Sequence, residues 1–318
     1  MDQIVHQVAP IVIQEATKYI SKRALLTPAQ ELANSASENN TSTLRRQLEH
    51  DPDVNRGPAL VAAAGSGSLS ALELLLEPPE KVSSRHSHHH REPKVDLDVW
   101  SSGATPLLAA VRGRHLKTTK CVLESGADPD LAPKTGITAL EEAAQAGLLD
   151  VVNLLLVYGA KADHHDHKGD TALIIASRWG HSHTARCLLQ NGAKVNEQNM
   201  KGSTALGVAA RHDSLDAVVE LLKWKANPNL RDKKGRTALH RAVEGVWLID
   251  GVSSKRKEEM VQVLLDAGAD PRVKDKEGKT PAERASWLTG SEALRKLLNG
   301  DRRKDVYKGH GNSRSKTF

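Results

Sequence analysis

The sequence is poor in aromatic residues, in cysteine and in long apolar runs, and each shortage excludes a class of structure. Aromatic residues make up 3% of the 318 residues, so aliphatic and small side chains must fill the core. The two cysteines, Cys121 and Cys187, cannot build a disulfide framework, which favours the cytoplasm or the nucleus. No run approaches the ~18 consecutive apolar residues of a membrane-spanning helix, and we expect no secretion signal.

The positive charge of the chain is concentrated at its C-terminus. The formal net charge is +6, and residues 301–318 hold six basic and two acidic residues, which is +4 of that total. Residues 1–300 therefore carry only +2. Hydrophobic residues make up 39% of the chain and charged residues 26%, a composition typical of folded proteins.

A short motif of threonine, then alanine or proline, then leucine returns every 33 residues, each time two positions after a glycine. Its copies begin at Thr105, Thr138, Thr171, Thr204 and Thr237. A sixth copy begins at Thr280, 43 residues after the fifth, so ten residues are inserted there. Two weaker units, around Leu32 and Leu60, precede the series. A fixed period of this length predicts stacked copies of one supersecondary unit.

Each copy of the motif predicts two helices and a turn. Threonine is a good N-cap, and Thr138 with Glu141 three residues later has the pattern of a capping box. Small residues follow in the first helix, and a larger apolar stripe, as in residues 151–156, marks the second. Glycines such as Gly192 suit the left-handed residue that ends the second helix. Lys225 occupies the same position in one repeat, and we expect an irregular helix end there because a left-handed lysine is strained.

These residues resemble the ankyrin repeat over residues 28–299, through the pattern Gly-x-Thr-Pro/Ala-Leu-x-x-Ala-Ala followed by an apolar second helix and Gly-Ala. The resemblance implies an all-α ankyrin-repeat solenoid of helix-turn-helix repeats with turn or β-hairpin fingers, about eight units including two caps. We expect an N-terminal amphipathic segment at 1–27 and a disordered basic tail at 300–318. Of the histidines usual after the motif leucine, only His240 is present.

Several segments outside the regular pattern leave alternatives open. The loop insertion 77–95 and the turn with His164, His165 and His167 are interpreted as solvated polar residues, with a weak metal site as the alternative. The inter-helix insertion 245–254 either folds back on its neighbours or is presented to a partner. Segment 1–27 either packs on the N-terminal cap, docks a partner or contacts a membrane surface.

No pattern in the sequence indicates a catalytic, cofactor or metal site. The glycines are explained by repeat turns and helix ends, so spacings that imitate phosphate-binding loops carry no information. Cys121 and Cys187 fall on the apolar stripes of second helices, which predicts buried thiols. We expect a monomer that is not an enzyme and uses no cofactor.

The resemblance implies a protein-interaction scaffold or adaptor that acts through its concave face, formed by the turns and the ends of the first helices. Basic and aromatic residues there predict an acidic or phosphorylated segment of another protein as the partner, rather than nucleic acid or a membrane. The predicted contact residues are Lys134, Lys168, Arg178, Trp179, Lys201, Arg211, His212, Lys233, Lys234 and Arg236. The alternative function is a regulatory or accessory role in nucleic-acid processes through the basic tail.

Overall fold

The structure is a computed structural model that describes residues 26–77, 95–244, 251–285 and 292–299. Four predicted segments lie wholly or largely outside these ranges: segment 1–27, insertion 77–95, residues 245–250 of the other insertion, and the basic tail. All regular structure in the described ranges is helical, apart from two isolated bridges in turns, Ser101 with Ala104 and Gln198 with Thr204. The all-α prediction is confirmed, and the fingers between repeats are turns.

The described helices fall into two compact units, of which the first runs to Lys134 and also takes in Val157–Ala160. Its three helix pairs are α1 (Pro28–Ser37) with α2 (Thr41–His50), α3 (Gly57–Ser66) with α4 (Leu69–Leu76), and α5 (Pro106–Arg112) with α6 (Leu116–Glu124). Each first helix packs against the first helix of the next pair, and the second helices do the same. This is the nearest-neighbour stacking that the repeat predicts.

The second unit comprises Thr135–Leu156 and the residues from Lys161 onward. Its helices are α7 (Ala139–Ala146), α8 (Leu149–Val157), α9 (Ala172–Arg178), α10 (Ser182–Gln190), α11 (Ala205–Arg211), α12 (Leu215–Lys223), α13 (Ala238–Glu244), α14 (Gly251–Asp266), α15 (Pro281–Arg284) and α16 (Glu292–Asn299). Residues 251–254 of the predicted insertion are helical and lengthen α14. None of the helices in the described ranges is long and apolar enough to cross a lipid bilayer.

The helix starts follow from the threonine motif. At the start of α7, Thr138 and Glu141 form the predicted capping box, in which each side chain accepts a hydrogen bond from the backbone of the other residue. The first helix α7 buries alanines, whereas its partner α8 buries Val152 and Leu155. Small side chains let the first helices of neighbouring repeats approach closely, and the larger ones fill the space between the two helices of a repeat.

The end of α12 corrects the expectation of an irregular helix end. Lys225 has a φ of 61°, its N–H donates to the oxygen of Leu222 at 2.9 Å, and the N–H of Ala226 donates to the oxygen of Leu221 at 3.1 Å. Gly192 ends α10 with the same two bonds, at 3.1 and 3.0 Å. The backbone therefore closes this helix regularly, and Lys225 accepts the left-handed conformation as local strain.

Replacing Lys225 with glycine is expected to raise the free energy of unfolding by about 0.5–1 kcal/mol. Relief of the left-handed strain contributes about 1–2 kcal/mol, against ~0.4–1 kcal/mol lost to the flexibility of glycine in the unfolded chain. The midpoint of urea unfolding measures the change. The reverse substitution in the neighbouring repeat, Gly192→Lys, serves as the control and should destabilise. A midpoint unchanged or lowered in Lys225→Gly contradicts the prediction.

A buried carboxylate joins α10 to α12 in the second unit. Glu220 accepts two hydrogen bonds from the guanidinium of Arg186, both at 2.8 Å, and further bonds from Lys223 at 3.4 Å and from the indole N–H of Trp224 at 3.3 Å. The hydrogen bonds from Arg186 come first among the causes that lower the pKa of Glu220 to about 2. The ionised carboxylate is therefore stabilised in the folded chain.

Replacing Arg186 with leucine is expected to lower the free energy of unfolding at pH 7. The loss should be smaller than for a fully buried ion pair, because Arg186 is 45% exposed and Glu220 keeps Lys223 and Trp224 as partners. Because the folded pKa of Glu220 is depressed, this stability is present above the ordinary glutamate pKa of about 4.3 and is lost as the pH falls toward 2. Urea unfolding at pH 7 and pH 3 should show the gap between the two proteins narrowing. Lys120→Leu, at an exposed pair, is the control with little expected effect.

Candidate binding surface

The turns between repeats of the second unit are joined to one another through their backbones. The N–H of Met200 donates to the oxygen of Lys168 at 3.1 Å, and the N–H of Lys233 donates to the oxygen of Lys201 at 3.0 Å. Close approach requires glycine in the turn, because a Cβ on Gly202, whose φ is 71°, would lie 2.9 Å from the nitrogen of Lys233. The backbones of the turn tips are thereby held in a fixed row.

Four lysines of this row carry charge that no carboxylate within the described residues neutralises by an ion pair. They are Lys168, Lys201, Lys233 and Lys234, and all four are exposed. The buried turn carboxylates bond the backbone instead: Asp166 accepts from the N–H of Lys168 at 2.7 Å, and Asp232 accepts from the N–H of Lys234 at 2.8 Å. The row therefore presents positive charge to solvent.

Arg178, the last residue of α9, is fixed by a buried carboxylate. Its Nη2 lies 2.6 Å from Oδ2 of Asp170, and Asp170 also accepts a hydrogen bond from the side-chain amide of Asn199 at 2.7 Å. The side chain of Asp170 is 3% exposed and that of Arg178 is 29% exposed. Arg178 is thus held in one position while part of its guanidinium still reaches solvent.

One repeat later, Arg211 and His212 occupy the same positions at the end of α11, and both are exposed. Partial burial of the imidazole, followed by the charges of Arg178, Arg211 and Arg241, lowers the pKa of His212. Two of these arginines are paired with buried carboxylates, Arg178 with Asp170 and Arg241 with Asp232. The lowered pKa favours the neutral ring at pH 7.

Two large apolar side chains lie among these charges. Trp179, which follows Arg178, is 58% exposed, and Met200 in the turn row is 60% exposed. Exposed aromatic and methionine side chains beside arginine are typical of sites that anchor a partner. We call the following residues the basic surface: Lys168, Arg178, Trp179, Met200, Lys201, Arg211, His212, Lys233 and Lys234.

Arg236 lies in a buried ion network rather than at the surface. Its guanidinium bonds Asp232 at 3.0 Å and Glu244 at 2.9 Å, and its side chain is 13% exposed. Arg241, 6% exposed, lies 2.7 Å from Asp232 and donates to the hydroxyl of Ser203 at 3.1 Å. Burial alone would raise the pKa of Asp232. The hydrogen bond from the backbone N–H of Arg236 and the positive charges of Arg241 and Arg236 nevertheless hold that pKa below its usual value.

The sequence did not point to Arg241 or Met200. The sequence nevertheless marks Arg241 as unusual. It lies 33 residues after Val208 and 66 after Ile175, at a repeat position that holds an apolar residue in those two repeats. A charge at a buried position needs a partner, which Asp232 supplies. The predicted contact residue Lys134 is exposed and belongs to the first unit.

Two of the three histidines in the turn after α8 form hydrogen bonds with other groups of the protein. Nδ1 of His164 lies 3.0 Å from Oε1 of Glu141, and Nδ1 of His165 lies 3.0 Å from the carbonyl oxygen of Gly169. Burial raises the pKa of Glu141, against hydrogen bonds from His164 and Thr138. Within the described ranges no group of three or more metal-ligating side chains comes together.

The two cysteines differ in exposure, which corrects the prediction of two buried thiols. Cys187 is buried, whereas Cys121 is only partly buried. Burial raises the pKa of both thiols, and at Cys121 the carboxylates of Glu73 and Glu124 raise it further. A raised pKa disfavours the reactive thiolate.

Comparison with known proteins connects this geometry to ankyrin repeats. A family model described as ankyrin repeats in three copies matches residues 32–133, 60–166, 140–232 and 196–253, and a single ankyrin repeat model matches residues 234–276. Among solved structures, the ankyrin repeat domain of Bcl-3, described as a unique member of the IkappaB protein family, is similar with a TM-score of 0.61. Sequence identity with it is 26%, over 76% of this chain and 97% of that one. No curated protein sequence matches the chain.

Proposed function

The chain belongs to the ankyrin-repeat family, and we propose that it is a non-catalytic scaffold or adaptor whose second unit binds an acidic or phosphorylated segment of another protein. Ankyrin repeats indicate protein–protein interaction in general. Fold membership does not identify a partner, so the chemistry of the partner has to come from the site. The basic surface supplies that chemistry.

The observation that carries the proposal is the separation of opposite charges within the repeats. The carboxylates of Asp166, Asp170 and Asp232 are buried and bond backbone groups or arginines. The turn lysines and Arg211 form no ion pair within the described residues. An isolated exposed lysine is ordinary, but a row of exposed lysines whose neighbouring carboxylates are buried and form no ion pair with them creates a local positive potential, which attracts anionic segments.

The two kinds of side chain have different tasks in this proposal. The turn lysines attract carboxylates or phosphates over a distance of about one Debye length, roughly 8–10 Å. Trp179 provides the buried contact area on binding, and Arg211 offers a planar fork that suits carboxylate or phosphate oxygens. Affinity should therefore depend on the tryptophan, and the rate of association on the lysines.

An array of peptides with graded acidic content tests this proposal. The full chain, labelled at its N-terminus, is applied at low and at physiological salt, and we expect retention on acidic and phosphorylated peptides that declines as salt screens the charges. Neutral peptides of the same length are the control. Retention that ignores peptide charge, or that survives the replacement of all four turn lysines by glutamine, contradicts the acidic-partner proposal.

We also propose that the chain acts as a monomer in the cytoplasm or the nucleus, where its two free cysteines stay reduced. The alternative role in nucleic-acid processes rests on the tail 300–318, which lies outside the described residues. Deleting residues 301–318 separates the two functions, because the peptide binding proposed above belongs to the second unit and should survive the deletion.

A further inference from the structure

A small cavity lies between α11, α13 and the turns that lead into these two helices. Its volume is about 10 Å³. The residues that line it come from two successive repeats and include Ser203, Thr204, Gly207, Asp232, Arg236 and Arg241. A buried water molecule needs roughly 10–15 Å³ of space for its centre. The cavity therefore accommodates a group of about the size of one water molecule, and a carboxylate is too large for it.

Gly207, within α11, leaves room for this cavity. A Cβ added there would lie 3.5 Å from Oγ1 of Thr204 and 4.0 Å from Cγ of Arg241, which are ordinary contact distances. Gly207 is not one of the glycines with a positive φ, so the backbone does not require glycine here. Other repeats place a buried side chain at this position, namely Leu108, Glu141, Ile174 and His240. The missing side chain distinguishes the interior of this repeat.

The guanidinium of Arg241 has one donor without an acceptor beside this cavity. Its Nη2 lies 2.7 Å from Oδ2 of Asp232 and donates to the hydroxyl of Ser203 at 3.1 Å. Its Nε is buried and has no hydrogen-bond partner within the described residues. A buried donor without an acceptor loses the hydrogen bond that it makes to water in the unfolded chain, which destabilises the fold. Because Arg241 lines the cavity, an acceptor located there would satisfy Nε.

The groups that line the cavity select the chemistry of its occupant. The guanidiniums of Arg236 and Arg241 repel a cation, and the carboxylate of Asp232 repels an anion. The hydroxyls of Ser203 and Thr204 can both donate and accept hydrogen bonds. An uncharged molecule that accepts from Nε and bonds the hydroxyls fits these groups, and a buried water molecule typically makes about three such bonds.

We infer that the cavity is the binding site of one ordered water molecule, which accepts a hydrogen bond from Nε of Arg241 and bonds the hydroxyls of Ser203 and Thr204. The water links α13 to the start of α11, in addition to the direct bond between Arg241 and Ser203. It also completes the hydrogen bonds of the arginine that pairs with Asp232, whose Oδ1 accepts the turn N–H of Lys234 at 2.8 Å. The water site lies inside the second unit and does not depend on the proposed partner.

Two substitutions at Gly207 test the inference through the midpoint of urea unfolding of the full chain. Alanine fills the cavity with a methyl group and offers no acceptor, whereas serine places a hydroxyl where the water lies. Helix propensity alone ranks alanine above serine, but a buried Nε that needs an acceptor reverses that order. We therefore expect Gly207→Ser to unfold at a higher urea concentration than Gly207→Ala.

Gly65, within α3, provides the matched control. Outside its own helix, a Cβ added there would meet only atoms of Ala109, at 3.5 and 3.9 Å, which again are ordinary contact distances. Gly65→Ala should therefore be more stable than Gly65→Ser, as helix propensity requires. If alanine is more stable than serine at position 207 by the same margin as at position 65, the inference is wrong.

A crystal structure of the full chain grown with sodium bromide locates the occupant directly. We expect an electron-density peak within about 3.2 Å of Nε of Arg241, without the anomalous signal of bromide. The peak should be absent from the Gly207→Ser protein, in which the hydroxyl takes its place. No peak in the wild type, or an anomalous peak that shows a halide, overturns the inference.

Discussion

Replacing Arg241 with leucine is expected to lower the free energy of unfolding by about 3 kcal/mol. The side chain of Arg241 is 6% exposed, and it lies 2.7 Å from Asp232, whose own side chain is 3% exposed. Removing one member of a buried ion pair leaves the other charge without its partner in a medium of low dielectric constant, which costs ~3–5 kcal/mol.

The other partners of Asp232 limit how much stability is lost when Arg241 is replaced. Arg236 remains within 3.0 Å of Asp232, so the carboxylate is not left alone, and the lower end of the range applies. Oδ1 of Asp232 also accepts the backbone N–H groups of Lys234 and Arg236 at 2.8 and 2.9 Å. Asparagine can keep those two bonds and removes the charge. The double variant Asp232→Asn, Arg241→Leu should therefore recover part of the lost stability.

Urea unfolding of the full chain, with the midpoint and slope both recorded, measures these changes. The control is Arg272→Leu, since Arg272 is exposed and forms no ion pair within the described residues; its effect should stay within about 0.5 kcal/mol. An Arg241→Leu protein as stable as the wild type would show that the network is not closed in solution. A double variant less stable than the single one would show that Asp232 keeps adequate compensation without Arg241.

The double variant Trp179→Ala, Arg211→Glu is expected to weaken binding of an acidic segment by on the order of 100-fold, or about 3 kcal/mol. Truncating a central tryptophan at an interface costs about 2 kcal/mol or more, and reversing the charge of Arg211 adds repulsion at the same site. Both side chains are exposed and neither is bonded within a buried network, so the fold should be unaffected.

Two matched variants control for loss of exposed area and loss of charge. Trp224→Ala removes a tryptophan that is 39% exposed at the end of a second helix, outside the basic surface. Arg112→Glu reverses a charge at the end of α5, at the repeat position of Arg211 but in the first unit. Both should bind an acidic peptide selected from the array with the wild-type affinity. Normal binding by the Trp179→Ala, Arg211→Glu protein would show that the basic surface is not the binding site.

The helix ends illustrate how far local sequence reasoning reaches. The motif threonines predicted the starts of the first helices, and glycines such as Gly192 predicted the ends of second helices, because caps and left-handed residues are properties of a few consecutive residues. Lys225 shows the limit: its intrinsic preference pointed to an irregular end, but the backbone N–H groups of Lys225 and Ala226 close the helix as they do at Gly192, and Ala226 is buried. The folded chain therefore accepts about 1–2 kcal/mol of local strain at Lys225.

By itself, the sequence determined the all-α repeat, its 33-residue period, the helix starts and the exposed lysines of the turns. These follow from short-range chemistry repeated often enough to be recognised. Tertiary structure alone decided which charges remain available. Arg178, Arg211 and Arg236 were all predicted contact residues, yet Asp170 pairs with Arg178, and Asp232 and Glu244 pair with Arg236, whereas Arg211 is exposed and forms no ion pair within the described residues. These pairs join residues four or eight positions apart within one repeat. Whether such a pair closes depends on the path of the folded backbone and on burial of the carboxylate, and a linear period carries no information about either.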